Sequence, residues 1–304
     1  MSASLIVLIP LLLVVLVGTL CFVGCGFPTS GIPYDGGQYE SVIFTTPGLV
    51  ALWPLNDQTF GGTNIPSSAA DRAPKPPNVK AFDGQYQGTL NSSFKLNQPS
   101  LVPGETSSLG PACAFFNGTD GFVSVPFHQE LNPGSFTLEV WVKPGWSPTE
   151  ASVQRAVLVS ATAGGVGFGL FARPDNFWEV QIGTGGGNFA SVKATQAIML
   201  NADTSQNPVN YLAVTFDNSV LELKLFVGTL DGALSPSGPS MGTLVAEDSS
   251  TATPLFIGMG RPDVPGGMFP FKGFIQDVAV YNVPLDFQTL QGHLLLGITP
   301  PADT

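Results

Sequence analysis

Among residues able to do chemistry, Gly238-Pro239-Ser240-Met241-Gly242 comes first, because a serine framed by glycines is the spacing of a nucleophile elbow, with acids and His293 downstream. An elbow needs a strand before it and a helix after it. Ser240 instead sits among Pro236, Gly238 and Pro239, and the residues from Thr243 read as a strand, so a chance match is expected. Gly164 to Gly169 and Gly183 to Gly187 open no helix and read as turns, not phosphate cradles. His128, His293 and Cys113 do not have zinc spacing. A structural or surface role is the default for each histidine, and a buried inert thiol is expected of Cys113 among Ala112, Ala114 and Phe115. Calcium is better suited than zinc, since it takes carboxylate and backbone oxygens and many acids here stand beside turns. Sugar binding asks for exposed aromatic faces beside amides or carboxylates. Trp146, between Pro144-Gly145 and Ser147-Pro148, is the first candidate for that role and Trp178 the second, with packing under its own loop as the alternative for Trp146 and packing in the core for Trp178. Trp53 and Trp141 lie inside strands and read as core.

What must position such residues is a set of short strands. Charged residues make up only 11% of the 304, while Gly (36) and Pro (27) abound, which is the profile of strands joined by turns. Phe136, Leu138, Val140 and Val142 alternate along one predicted strand, and Ala114 to Val125 reads as two hairpin strands about an Asn117-Gly118 turn. Further strands are expected at Arg155 to Ser160, Gly167 to Ala172, Phe177 to Ile182, Phe189 to Ala194, Val209 to Phe216 and Leu221 to Val227. Asn64 to Lys80 and Gln98 to Pro111 read as long surface loops, and Leu285 to Leu296 as a short helix packing its leucines on the sandwich edge. The formal charge of −11 lies wholly beyond the first thirty residues, so nucleic acid is excluded as a partner by phosphate repulsion. Three cysteines cannot make a disulfide framework, so the core must hold the domain together.

Leu5 to Val23 is apolar except for Thr19, about the length that crosses a bilayer. With no Lys or Arg before Arg72, the α-amino group is the positive charge that places the N-terminus in the cytoplasm and the remainder outside. A cleaved signal is the alternative, and Phe22-Val23-Gly24-Cys25 resembles a bacterial lipoprotein box with Phe in place of Leu. The expected organisation is a membrane anchor or signal over 1–25, a Gly/Pro tether over 26–41, one domain over 42–298 and a tail over 299–304.

Several segments together carry a family resemblance. They are Leu49 to Asp57 (LVALWPLND), Asp83-Gly84 with Gly88-Thr89, the Asn117-Gly118 turn before Val123-Ser124-Val125-Pro126, Ser135 to Pro144 (SFTLEVWVKP) and Phe271 to Leu285 (FKGFIQDVAVYNVPL). Tyr211 to Asp217 with Leu221 to Gly228 resembles the family's paired strands, although Asn210-Tyr211 stands where Trp-His is usual. The pattern resembles the laminin-G-like, concanavalin-A-like jelly-roll domains and covers about residues 42 to 298. It implies an all-β, two-sheet antiparallel sandwich with one short C-terminal helix, preceded here by a transmembrane helix or signal segment. Glucanases of that fold carry paired carboxylates on one strand, whereas Thr137 to Val142 offers Glu139 alone, and one acid cannot serve both roles. The resemblance also implies a calcium site in which Asp277 of the closing strand meets backbone oxygens around Asn56 and Asp57, with Asp263 taking no part; a turn cap or solvent-facing carboxylate is the alternative for Asp277. The function expected is a membrane-anchored, non-catalytic binding module outside the cytoplasm, for polysaccharide, glycan or surface protein. A structural assembly subunit is the alternative, and glycoside hydrolysis would require a second acid near Glu139.

Overall fold

The structure is a computed structural model and describes residues 38–57, 68–105, 112–162, 164–261 and 266–300. The expected membrane segment, Cys25, the tether up to residue 37 and Asp263 lie outside the described residues. Among those described, no helix is long and apolar enough to cross a membrane.

The strands are β1 (Leu49–Trp53), β2 (Ser68–Ala69), β3 (Gly84–Gln87), β4 (Phe94–Pro99), β5 (Ala112–Asn117), β6 (Phe122–Val125), β7 (Phe136–Pro144) and β8 (Arg155–Thr162). They continue with β9 (Val166–Ala172), β10 (Phe177–Gly185), β11 (Asn188–Ala197), β12 (Asn210–Asp217), β13 (Glu222–Thr229), β14 (Leu234–Met241), β15 (Leu255–Ile257) and β16 (Lys272–Tyr281). Helices α1 (Gln38–Thr45) and α2 (Phe287–Ile298) flank them. Sheet 1 runs β14-β13-β12-β7-β16-β5-β4 with β1 also paired to β16, and sheet 2 runs β11-β10-β9-β8-β15-β6-β3-β2. Every pairing is antiparallel, so this is the two-sheet sandwich that the sequence implies.

The core between the sheets follows from alternation. Phe136, Leu138, Val140 and Val142 point inward against Phe168, Leu170, Val180 and Ile182 of sheet 2, each burial contributing about 1.5 to 3 kcal/mol. The opposite face of β7 carries Thr137, Glu139 and Trp141. There α1 and α2 cover sheet 1, with Tyr39, Ile43, Leu290 and Leu294 packed on Trp141, Tyr211 and Tyr281. The leucines of α2 therefore lie on a sheet face and not on the expected edge, because the aromatic outer row of β7, β12 and β16 needs cover.

Three more expectations are corrected. The Asn117-Gly118 turn joins no hairpin: β5 belongs to sheet 1 and β6 to sheet 2. Asn117 Oδ1 accepts from Thr119 N (2.8 Å) and Asp120 N (3.2 Å), so its side chain builds the corner at which the chain changes sheet. The expected tether ends early, since α1 begins at Gln38 and buries Tyr39, Glu40 and Ile43. Finally, Gln98 to Pro111 is more than a surface loop. Its first residues end β4, and Leu101, Val102 and Glu105 are buried beside α1's partners. In Asn64 to Lys80, buried Asp71 likewise accepts from Leu52 N, Ala73 N and Phe82 N, pinning the loop to β1.

Candidate functional site

Among the described residues no helix lies on the outer side of sheet 2, where Ala156, Val159 and Phe171 form a small buried cluster with Phe269, and strand register decides what that side presents. Val159 of β8, Gly169 of β9 and Gln181 of β10 are paired in one row, with Phe171 two residues further along β9. Gly169 has no side chain because a Cβ there would stand 2.6 Å from the ring of Phe171. The ring folds over that gap and meets Phe269 edge-on, with centroids 6.3 Å apart and planes at 90°. Together with Phe189 at 45% exposure, Gln154, Thr162 and Arg261, they line a cleft of about 310 Å³. Its fourth wall is the segment after β15, held closed by Gly260 N to Met268 O (2.6 Å) and Arg261 N to Gly267 O (2.6 Å).

An apolar floor with two amides and a guanidinium at the rim can bind a small amphipathic ligand, aromatic rings against its apolar face and amides against its hydroxyls. Another cleft of about 310 Å³ beside β1 is walled by Pro74, Pro76, Pro133 and Phe82. Its Lys75 is committed to Asp71 and Val50 O.

The aromatic residues expected to bind sugar lie elsewhere. Trp146 and Trp178 are each 1% exposed and correct the expectation: they meet edge-to-face at 6.4 Å inside the core. Asn207 Nδ2 donates to Pro144 O (3.0 Å) and Trp146 O (2.9 Å), drawing the chain back over the indole, while the Arg155 guanidinium caps the ring at 4.9 Å. Trp178 keeps β10's inward alternation and donates through Nε1 to Asn210 Oδ1 (3.3 Å). Neither offers a ring face. Phe171, Phe189, Phe269 and Gln181 were not singled out by the sequence reading, although Gly167, Gly169 and Phe171 alternate along β9. Two glycines on one strand face mark a close approach of neighbouring groups, here the Phe171 ring over Gly169, and this was the available signal.

The hydrolase readings end in buried or unsupported positions. Glu139 is fully enclosed on the outer side of sheet 1, where Tyr211 donates to it (2.6 Å) and His293 Nδ1 lies 2.9 Å from Oε1. His293 Nε2 reaches Thr46 Oγ1 at 3.0 Å, tying α2 to the end of α1. Ser240 lies near the end of edge strand β14 with no helix following, so the elbow is absent; the expected strand from Thr243 is also absent. The glycine runs are turns only in part: Gly164-Gly165 and Gly186-Gly187 turn the chain, while Gly167 and Gly169 lie in β9 and Gly183 and Gly185 in β10; Gly185 N and Gly187 N bond Gly165 O and Gly164 O, both at 2.8 Å. Cys113 is enclosed, with burial pushing its thiol pKa far up.

Asp277 and Asp57 serve different environments. Asp57 accepts from Tyr86 Oη (2.9 Å) and Ala70 N (3.3 Å). Asp277 is the extra residue of a bulge in β16, at φ 50°, and its N–H bonds Pro54 O at 3.3 Å. Its carboxyl is 5% exposed, with Oδ2 unpartnered, and its pKa is raised by burial and by Glu105 and Glu40. Burial and Glu40 push Glu105 up to about 7. One orphaned oxygen suits a cation, but the remaining set does not. Ser100 Oγ and Gln276 Nε2 donate into Glu105, and among the described residues no three His, Cys, Asp or Glu are arranged to hold a metal ion. No role for calcium is derived from it.

Comparison with known proteins bears on the fold. No curated protein sequence matches the chain. The receptor binding domain of botulinum neurotoxin C/D mosaic serotype superposes with TM-score 0.52 at 9% identity, over 83% of this chain and 55% of that one. A structure concerned with botulinum neurotoxin type C and two ganglioside molecules gives 0.51 at 11% identity, over 82% and 51%. The chain thus spans about half the length of each toxin chain. The Ruminococcus gnavus IT-sialidase CBM40 bound to alpha2,3 sialyllactose gives 0.41 at 16%, over 54% and 84%. A family model described as the concanavalin A-like lectin/glucanases superfamily matches residues 117–291, more than half of the sequence. With the two-sheet sandwich already in place, the chain belongs to the concanavalin A-like lectin/glucanases superfamily.

Proposed function

We propose that the chain is a non-catalytic glycan-binding module that takes its ligand in the cleft on the outer side of sheet 2. The observation that carries this is the pairing of an apolar, phenylalanine-walled floor with Gln154, Gln181 and Arg261 on a sheet face that no helix covers among the described residues. The toxin structure named for its interaction with ganglioside molecules shares the fold, and the likeness extends no further than the fold. The chemistry of the lining supports the non-catalytic part of the proposal, since glycosidic cleavage uses two carboxyls flanking the bond and no carboxyl is among the described lining residues. We place the module outside the cytoplasm, tethered by the apolar Leu5 to Val23 segment. Fractionation of full-length protein tests the tether: recovery as a soluble species beginning near Gly26 contradicts it.

For the binding itself, full-length protein is applied to a glycan array and incubated with any polysaccharide it captures. Capture without release of reducing ends is expected, with Phe189→Ala lowering capture at least tenfold. Capture unchanged in folded Phe189→Ala, or release of reducing ends, overturns the reading.

A further inference from the structure

Gln154 and Gln181 both line the sheet 2 cleft, and neither carboxamide has a hydrogen-bond partner among the described residues. They come to it from opposite sides of β9. Gln181 on β10 is the cross-strand partner of Gly169, whereas Gln154 lies two residues before Ala156 on β8, the partner of Phe171. Gln181 therefore stands beside the Phe171 ring, which folds over Gly169. The wall facing that ring is held under strain. Phe269 sits at φ 38°, a left-handed backbone that a bulky residue adopts at a cost. Its carbonyl accepts from Ala156 N (2.7 Å), which fixes the ring edge-on to Phe171. From this juxtaposition of two unpaired carboxamides with two fixed aromatic rings we infer that the cleft selects a sugar carrying an acetamido group, an N-acetylated hexosamine. This rests on the glycan-binding reading above.

An acetamido group is a planar trans amide, so its N–H and its C=O point to opposite sides. Each carboxamide can serve either edge, because it carries both an acceptor oxygen and a donor nitrogen. With one glutamine on each side of β9, one accepts from the sugar's N–H and the other donates to its C=O. The acetamido methyl then takes the apolar place against Phe171 and Phe269, where its burial is favourable. A hydroxyl at the same position meets the two carboxamides with a single oxygen and brings no methyl to the rings. Part of the lining, polar and apolar, stays unmatched, and the plain hexose is disfavoured for that reason. The described lining also has no carboxylate to accept from hexose hydroxyls, and Thr162 Oγ1 already accepts from Gly164 N at 3.2 Å.

Full-length protein is titrated with two pairs of sugars that differ only in the acetamido group: N,N′-diacetylchitobiose against cellobiose, and N-acetylgalactosamine against galactose. At least one acetamido sugar should bind about tenfold or more tightly than its hydroxyl counterpart. Gln154→Leu and Gln181→Leu keep the apolar bulk and remove the amide, and each should cut that margin severalfold. Phe189→Ala should weaken every sugar and leave the margin in place. Hydroxyl counterparts that bind as tightly as both acetamido sugars, or a margin that survives both glutamine substitutions in folded protein, overturn the inference while glycan binding stands. Array capture confined to glycans without an acetamido group does the same. If neither pair binds and the array also captures nothing, the glycan-binding reading itself falls.

Discussion

Thr46, His293 and Glu139 string a hydroxyl, an imidazole and a carboxylate in the order a hydrolase would use, at 3.0 and 2.9 Å. Burial sets what they do here: the Thr46 hydroxyl also contacts Val42 O at 2.8 Å, and both His293 and Glu139 are enclosed under α2. The three residues act as a tie between sheet 1 and the two helices. Glu139→Gln should therefore cost about 2 to 4 kcal/mol in urea unfolding, since it weakens a buried charge-assisted contact. It should leave glycan affinity unchanged. A variant with wild-type stability, or with altered glycan binding, would contradict the tie. The sequence exposed Glu139 as a lone acid between apolar neighbours. It could not show His293 arriving from 154 residues away. Trp146 misled because the turn after Pro144 does end the strand, but Asn207, remote in sequence, folds the indole inward.

At the scale of elements, strands were legible and their partners were not. Alternation in β7, β10 and β12 is written in neighbouring residues, so these strands lie close to their expected positions. The β5 to β6 corner and the docking of α1 depend on which sheet each strand joins, which local pattern does not encode. Docking of α2 turns on Gly297, where a Cβ would stand 2.4 Å from Trp141 Cζ2. Gly297→Ala should destabilise by about 1 to 3 kcal/mol and redden Trp fluorescence, and unchanged stability would mean that α2 does not dock there. The carboxyls under α1 make a pH prediction. Asp277 and Glu105 have raised pKa values in the fold, so their contribution is present below the unfolded carboxyl pKa and is lost as pH rises through the folded values. For Glu105 the loss runs from about 4.5 to about 7 and amounts to about 3 kcal/mol. Tm should fall by roughly 5 to 10 °C over that window. Glu105→Gln and Asp277→Asn should flatten the fall, while chelator should leave Tm unmoved at every pH. A calcium-dependent rise in Tm that Asp277→Asn removes would instead make the cluster a cation site.

In the whole molecule the two outer faces differ. Sheet 1 is closed by α1 and α2 over an aromatic layer, whereas sheet 2 leaves open the phenylalanine-walled cleft to which we assign the proposed binding. The sandwich could be read from its turns and alternation because those are local. The cleft could not be read as a unit, because it is assembled from four strands and the loop after β15, and only the glycines alternating along β9 pointed toward it. The division of faces is tested most directly by hydroxyl-radical footprinting of full-length protein with and without a glycan captured on the array. Phe189 is exposed in the cleft lining, and Phe287 and Leu295 are exposed on α2. Glycan is expected to protect Phe189 and to leave Phe287 and Leu295 unchanged; protection of the α2 pair with Phe189 still fully reactive would contradict the division of faces.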